Sequence, residues 1–303
     1  MKKDSRKPRM MSGGIGNKSQ FGDYVIIFIF VILILVCVLP VLNVFSRAMS
    51  SPEALVRGQV SIFPVGFSLE SFRMVWEDAK YPRSLAWTVI LTIICTFTSL
   101  ALTVTCAYPF VYKDLRGRKV INTMLIFTMY FSAGTIPNYL LLRSLGLLDN
   151  PIVLIIPNAL SIFNFILMRS FFYGISDSLR ESAQIDGAGP IRILASIYLP
   201  LSKPALATIA LFYAVGRWNG YGDALLYMTN RASDWFPIQL LLYNIQQNIQ
   251  AIETQLIEGI NPTGMGEGVR TATIVIATIP ILLVYPFLQK YFIAGATLGA
   301  IKE

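Results

Sequence analysis

The 303-residue sequence has no histidine, so it lacks both the commonest general base and the commonest metal ligand. Its three cysteines, Cys37, Cys95 and Cys106, all lie in apolar stretches, a pattern that suggests neither a disulfide framework nor a zinc site. Charge is scarce: 14% of residues are charged, where about a quarter is usual for a soluble domain, and 54% are hydrophobic. A nucleotide-binding loop is also missing. The stretch Gly13-Gly14-Ile15-Gly16-Asn17-Lys18-Ser19 resembles one briefly, but Asn17 replaces the glycine before the lysine and no strand precedes it. No paired acids or other catalytic constellation appears, so the chain reads as a non-enzyme that binds no cofactor of its own. The net charge of +8 raises the question of nucleic acid; its distribution follows membrane topology instead, and no nucleic-acid partner is expected.

What the sequence does contain is long apolar runs. Tyr24–Phe45 is 22 uncharged residues, where about 20 cross the hydrocarbon core. It exceeds the about 7–15 residues of a signal-peptide core and reads as a retained anchor. Leu85–Tyr112 is a second such run. Val120–Leu142 follows, with Gly134, Pro137 and Asn138 in its outer half, and then Pro151–Met168, carrying Pro157, Asn158 and Asn164. Pro204–Gly216 is apolar for only 13 residues, so a crossing helix must continue through Arg217 and Asp223 to about Tyr227. Thr271–Gln289 makes a sixth span.

These runs predict an all-α membrane protein of six transmembrane helices in contact with lipid. A basic tail (1–23) precedes the transmembrane domain (24–292) and a short tail (293–303) follows it. Arg47 to Arg83 reads as an outer segment, with Trp76 and Tyr81 placed for an interface. Thr229–Arg270 reads as a long outer loop. With both termini inside, the inner segments carry sixteen lysines and arginines against nine outside, the bias expected of cytoplasmic loops. The predicted topology is therefore that of a multi-pass membrane protein with both termini in the cytoplasm.

One polar interruption, residues 178–204, lies on the predicted cytoplasmic side. Ser178-Leu179-Arg180-Glu181 has the spacing of a capping box. The helix it opens should stop at Asp186-Gly187-Ala188-Gly189, where glycine permits a turn. Pro190 suits the first position of a second helix, whose face would carry Ile191, Leu194, Ala195 and Tyr198. Pro200 and Pro204 end that piece and open the next span.

Arg217 lies 14 residues past Lys203, about 21 Å along a helix. A charge at that depth should face protein or a wet cavity rather than lipid. Two roles fit it: a structural ion pair or snorkelling side chain, and a polar rim on a transport path. In the second, Trp218 and Tyr221 offer ring faces to a cargo, Asn219 offers a hydrogen-bonding edge, and Gly216, Gly220 and Gly222 let the helix open. Asn158 and Asn164 are further candidates, although membrane asparagines also hold helices together.

The pattern Glu181-Ser182-Ala183, Asp186-Gly187-Ala188, then Leu199-Pro200-Leu201-Ser202 and Pro204 resembles the coupling loop of binding-protein-dependent ABC importer permeases. Ser182 stands where that family has an alanine. The resemblance extends to Asn158, Phe163-Asn164, Trp218-Asn219, the run Tyr285–Phe292 and the ending Gly299-Ala300-Ile301-Lys302. It is closest in kind to carbohydrate permeases of the maltose type, MalG-like, in the LplC/YtcP branch. The resemblance implies a type I importer permease fold. It also implies that Glu181, Ser182, Ala183, Asp186, Gly187 and Pro200 couple to an ATPase. The expected partners are a homologous second permease, two ATPase subunits that carry ATP and Mg, and an extracellular sugar-binding protein. The expected cargo is a carbohydrate, with an oligosaccharide favoured. The competing readings are a non-sugar cargo such as a peptide, and a membrane receptor or scaffold that moves nothing.

Overall fold

The computed structural model describes residues 21–256 and 266–283, and among them every regular element is helical. The basic tail up to residue 20, residues 257–265 of the expected outer loop and everything after residue 283 lie outside the described residues. The run Tyr285–Phe292 and the expected end of the last span fall there too.

The first helix, α1 (Phe21–Ala48), is uncharged between Asp23 and Arg47, and its apolar middle is not buried within this chain. Two short helices follow, α2 (Pro52–Val56) and α3 (Glu70–Glu77). The central element is α4 (Lys80–Ala107), extended by a 3₁₀ turn, Tyr108–Val111. Its buried positions Ser84, Thr88, Leu91, Cys95, Ser99 and Thr103 recur every three or four positions, and all but Leu91 are small. Small side chains let a second helix approach closely, which in a membrane replaces the hydrophobic effect as the packing force. The helix that packs there is α11, introduced below, and Thr103 hydrogen-bonds its Tyr213 at 2.7 Å.

Next come α5 (Arg118–Tyr130) and α6 (Thr135–Ser144). The sequence reads one straight span over Val120–Leu142; the structure bends it by 111°. The break falls where Gly134 adopts φ +92, a conformation open to glycine at little cost. The expected span Pro151–Met168 is likewise shorter as a helix. Pro151–Leu154 is a 3₁₀ turn, the backbone then runs irregularly, and α7 (Ile162–Tyr173) starts only after Ser161 caps it. Pro157 cannot donate to a helix, so the irregular stretch is its natural consequence.

The polar interruption forms α8 (Asp177–Ile185) and α9 (Pro190–Ile193), a π turn (Leu194–Tyr198), and α10 (Leu199–Leu201). An 84° corner then leads into α11 (Lys203–Asn219). The sequence requires this helix to run to about Tyr227. It stops at Asn219 instead, the backbone opens at Gly220, and α12 (Gly222–Tyr227) resumes. The expected loop Thr229–Arg270 contains α13 (Ile238–Leu256), and the last helix, α14 (Gly266–Leu283), begins before Thr271.

Only three described helices are long and apolar enough to cross a membrane alone, or five if each bent pair counts as one. The expectation of six unbroken spans is therefore corrected. Two of the breaks, the irregular backbone before Ser161 and the opening at Gly220, border the cavity described next, a setting in which irregular backbone is tolerated at membrane depth.

Among the described residues, two of the four buried apolar clusters are large and hold the middle of the bundle. One joins the end of α4 to α7, the π turn and α11 through Phe165, Phe172, Tyr198 and Ile209. The other joins the middle of α4 to α12 and α13 through Leu91, Leu154, Phe236 and Leu240.

Candidate functional site

The polar elbow is fastened to the end of α4 by charge. Lys113 Nζ lies 2.8 Å from Asp177, and Arg180 reaches the same carboxylate at 3.3 Å. Arg180 is buried, donates to the Val111 carbonyl at 3.3 Å and stacks its guanidinium 5.2 Å from the Tyr112 ring. The hydrogen bond from Lys113, with attraction from Lys113 and Arg180, holds the Asp177 carboxyl below its ordinary range. The elbow's first helix is thus a rigid attachment.

Its cap differs from the sequence expectation. Ser176, not Ser178, is the N-cap, its hydroxyl accepting from the Ser178 amide at 3.3 Å. Starting there puts Asp177 in the first turn, where a negative charge suits the helix dipole, and Glu181 falls outside the capping position. Glu181 is exposed, 3.6 Å from Arg180.

The stop at Gly187 is as expected. Gly187 has φ +77, its amide meets the Gln184 carbonyl at 3.0 Å, and the Ala188 amide meets Ala183 at 2.9 Å. Those two bonds form a Schellman ending. Pro190 opens α9, as its missing N–H permits.

The face beyond it is corrected. Ile191 and Ala195 are exposed, whereas Ile193 and Tyr198 are 0% exposed. The five-residue π turn shifts the register, so residues five apart share the buried side. Glu181, Ser182, Asp186, Gly187 and Pro200 are exposed and Ala183 is half-buried. On either side of the Gly187 turn, Ile185 and Ile191 stand 87% and 83% exposed.

The second feature is a cavity of about 680 Å³ between α4, the irregular backbone before α7, α11 and α12. Arg217 forms its polar wall. This guanidinium binds Asp223 through both carboxylate oxygens, donates to the Gly220 carbonyl at 2.8 Å and to the Leu154 carbonyl at 3.3 Å. Gly220 and Leu154 sit at the two helix breaks, where helical bonding leaves carbonyls free. One buried arginine therefore satisfies both breaks and is balanced by one acid. Asn158 Nδ2 donates to the same Asp223 at 3.4 Å.

Among the residues named from the sequence, Arg217, Asn158 and Asn164 line the cavity together. Trp218 does not: it is buried, and its Nε1 donates to the Ala277 carbonyl of α14 at 3.1 Å. Asn219 is exposed and turns back to the Val215 carbonyl at 3.0 Å. Tyr221 stacks on Tyr243 of α13, with centroids 5.0 Å apart.

The aromatic lining comes instead from Phe163, Phe212 and Tyr213. Phe163 and Phe212 lie 6.3 Å apart and are 55% and 37% exposed. Phe212 and Tyr213 were not singled out in the sequence, since an aromatic within an apolar run has no local mark that separates a cavity wall from a core. Among the described residues, no group of three acidic or cysteine side chains could hold a metal ion.

Residues 86–297 match the family described as binding-protein-dependent transport system inner membrane component. The chain is 41% identical over 288 residues to the polygalacturonan/rhamnogalacturonan transport system permease protein YtcP of Bacillus subtilis, covering 94% of this chain and 99% of that one. It is 39% identical over 269 residues to protein LplC of the same organism, covering 88% and 90%. Among solved structures it is similar to a bacterial ABC transporter involved in the import of the acidic polysaccharide alginate. That match has a TM-score of 0.80 and 37% identity, and covers 90% of this chain and 98% of that one.

Proposed function

This chain belongs to the family of binding-protein-dependent transport system inner membrane components, and we propose that it is a permease subunit importing a carbohydrate. The cargo is an oligosaccharide handed over by an extracellular binding protein. The names of the relatives support the cargo class: one is a polygalacturonan/rhamnogalacturonan permease and one belongs to an alginate importer. Both name acidic polysaccharides, so a uronate oligosaccharide is the first cargo to test.

The observation that carries the reading is the elbow. Ile185 and Ile191 stand exposed around a left-handed turn on a rigid support outside the spans, a surface suited to a soluble partner. In this reading the elbow, with Glu181, Ser182, Ala183, Asp186, Gly187 and Pro200, docks on an ATPase. Two ATPase copies carry ATP and Mg, and a homologous second permease completes the pore. Both termini lie in the cytoplasm of a bacterial cell. ATP closes the ATPase pair, the elbow transmits the movement, and the spans rock as rigid bodies. The cavity wall of Arg217, Asn158 and Asn164, with the rings of Phe163 and Phe212, lies on the cargo path.

Sealed vesicles holding the assembled complex, with ATP inside and the binding protein and a labelled oligogalacturonate outside, test this. ATP-dependent accumulation is the expected result. Cargo binding with no accumulation would support a receptor, and accumulation of peptides alone would replace the cargo class.

A further inference from the structure

A second cavity, of about 690 Å³, lies where the end of α4, the start of α5 and the end of α7 meet. Its lining holds Lys113, Arg118, Lys119 and Arg169, with Asn122 and Tyr173, and includes no acidic residue. Lys113 is already paired with Asp177. Among the described residues, Arg118, Lys119 and Arg169 have no carboxylate within ion-pair distance.

Both guanidinium groups are held in place. Arg118 donates to the Tyr173 hydroxyl at 2.7 Å and lies 5.3 Å from that ring's centroid. Arg169 lies 5.6, 5.8 and 5.9 Å from the ring centroids of Phe165, Tyr173 and Phe110, and one of its amino groups donates to Asn122. Its Nε is buried and has no hydrogen-bond partner. Three unmatched positive charges line this cavity, two of them against aromatic rings; they repel one another, and an anion between them would remove that cost. The helix α5 starts at this cavity, with Gly117, Arg118, Lys119 and Val120 all in its lining, so the positive end of its dipole lies beside the same charges.

The apolar surroundings narrow the kind of anion. None of the described residues of α5 is buried. Val120, on the cavity wall, begins a stripe continued by Met124 and Phe127, at i, i+4 and i+7, with 59%, 63% and 56% exposure. Phe131 stacks on Phe127 at 4.3 Å and prolongs it. From Val120 to Phe131 the stripe runs about 16 Å, about half of the ≈ 30 Å hydrocarbon core and so one leaflet deep. The cavity adjoins the elbow, because Lys113 of its lining pairs with Asp177. Basic pockets between membrane helices at such a level accept anionic lipid headgroups.

We propose that this cavity binds the phosphate of one anionic phospholipid, with an acyl chain lying along the Val120–Phe127 stripe. Arg118 and Arg169 hold the phosphate and Lys119 guards the mouth. A bound lipid would brace α5 and α7 against the elbow that Asp177 and Lys113 fasten.

The test uses the assembled complex in nanodiscs of phosphatidylcholine with a minor fraction of phosphatidylglycerol. Native mass spectrometry counts the lipid retained after delipidation. Lys119 is exposed, so Lys119→Glu tests charge without disturbing the fold, and Arg118→Gln tests the inner site. Wild type should retain phosphatidylglycerol in preference to phosphatidylcholine, and Lys119→Glu should weaken that retention roughly tenfold. Arg118→Lys should restore part of what Arg118→Gln loses. Equal retention by wild type and Lys119→Glu would overturn the proposal. Displacement of the lipid by millimolar inorganic phosphate would also overturn it, by showing a site for soluble anions. So would a cross-link from a photoreactive residue at position 118 to a partner subunit's acidic segment in a complex retaining no lipid.

Discussion

Arg217 and Asp223 face each other across the break between α11 and α12, joined through both carboxylate oxygens, with side chains only 7% and 11% exposed. The pair closes a loop that no helical hydrogen bond could close, because Gly220 lies between the two helices. It also ties that loop to the Leu154 carbonyl across the cavity. A structural role and a place on the cavity wall therefore belong to the same side chain.

Arg217→Ala should cost about 3–5 kcal/mol of stability, because it leaves Asp223 buried without a partner. Asp223→Ala combined with Arg217→Ala should recover part of the loss. Thermal unfolding of the detergent-solubilised complex measures both. Equal losses in the single and double variants would mean that the carbonyl bonds to Leu154 and Gly220, not the ion pair, carry the stabilisation.

Trp218 and Phe163 should behave differently. Trp218→Ala removes a buried indole and its hydrogen bond to the Ala277 carbonyl, so the amount of assembled complex should fall. Phe163→Ala and Phe212→Ala remove exposed cavity rings, and uptake per assembled complex should fall roughly two- to tenfold at unchanged assembly. Uptake normalised to complex recovered by affinity purification separates the two classes. Normal specific uptake in both phenylalanine variants would remove the rings from the cargo path.

At the elbow, Ile185→Asp should leave the protein in the membrane and reduce the ATPase that copurifies with it. Gly187→Val should act through the backbone: a Cβ there meets nothing within 4 Å, so the cost is the left-handed φ alone, about 1–2 kcal/mol. Gly187→Asn should retain more ATPase than Gly187→Val, since asparagine tolerates that conformation. Full ATPase recovery with all three variants would mean that the elbow is not the docking surface.

Topology is read by cysteine labelling after Cys37, Cys95 and Cys106 are replaced. A cysteine at the exposed Ser233 should react with an impermeant thiol reagent in intact cells, and one at the exposed Ser178 only after the cells are opened. Labelling at Ser178 from outside would invert the chain and remove the elbow from the cytoplasm.

By itself the sequence determined the membrane class, the family resemblance and the elbow's plan. Apolar run length, the Gly187 turn and Pro190 are local properties, each set by solvation or by the φ its own residue permits. The capping serine was displaced by two residues because Ser176 and Ser178 are chemically alike. Asp177, with Lys113 and Arg180 on its carboxylate, sits in the first turn when Ser176 is the cap. Only tertiary structure decided where the spans break and which side chains meet. Periodicity cannot distinguish a continuous helix through Gly220 from an open one, because the alternative bonds come from Arg217 reaching Leu154, 63 residues away. Nor could composition separate Trp218, turned into α14, from Phe212, turned into the cavity: both are aromatic residues of one helix, and their surroundings are supplied by other helices.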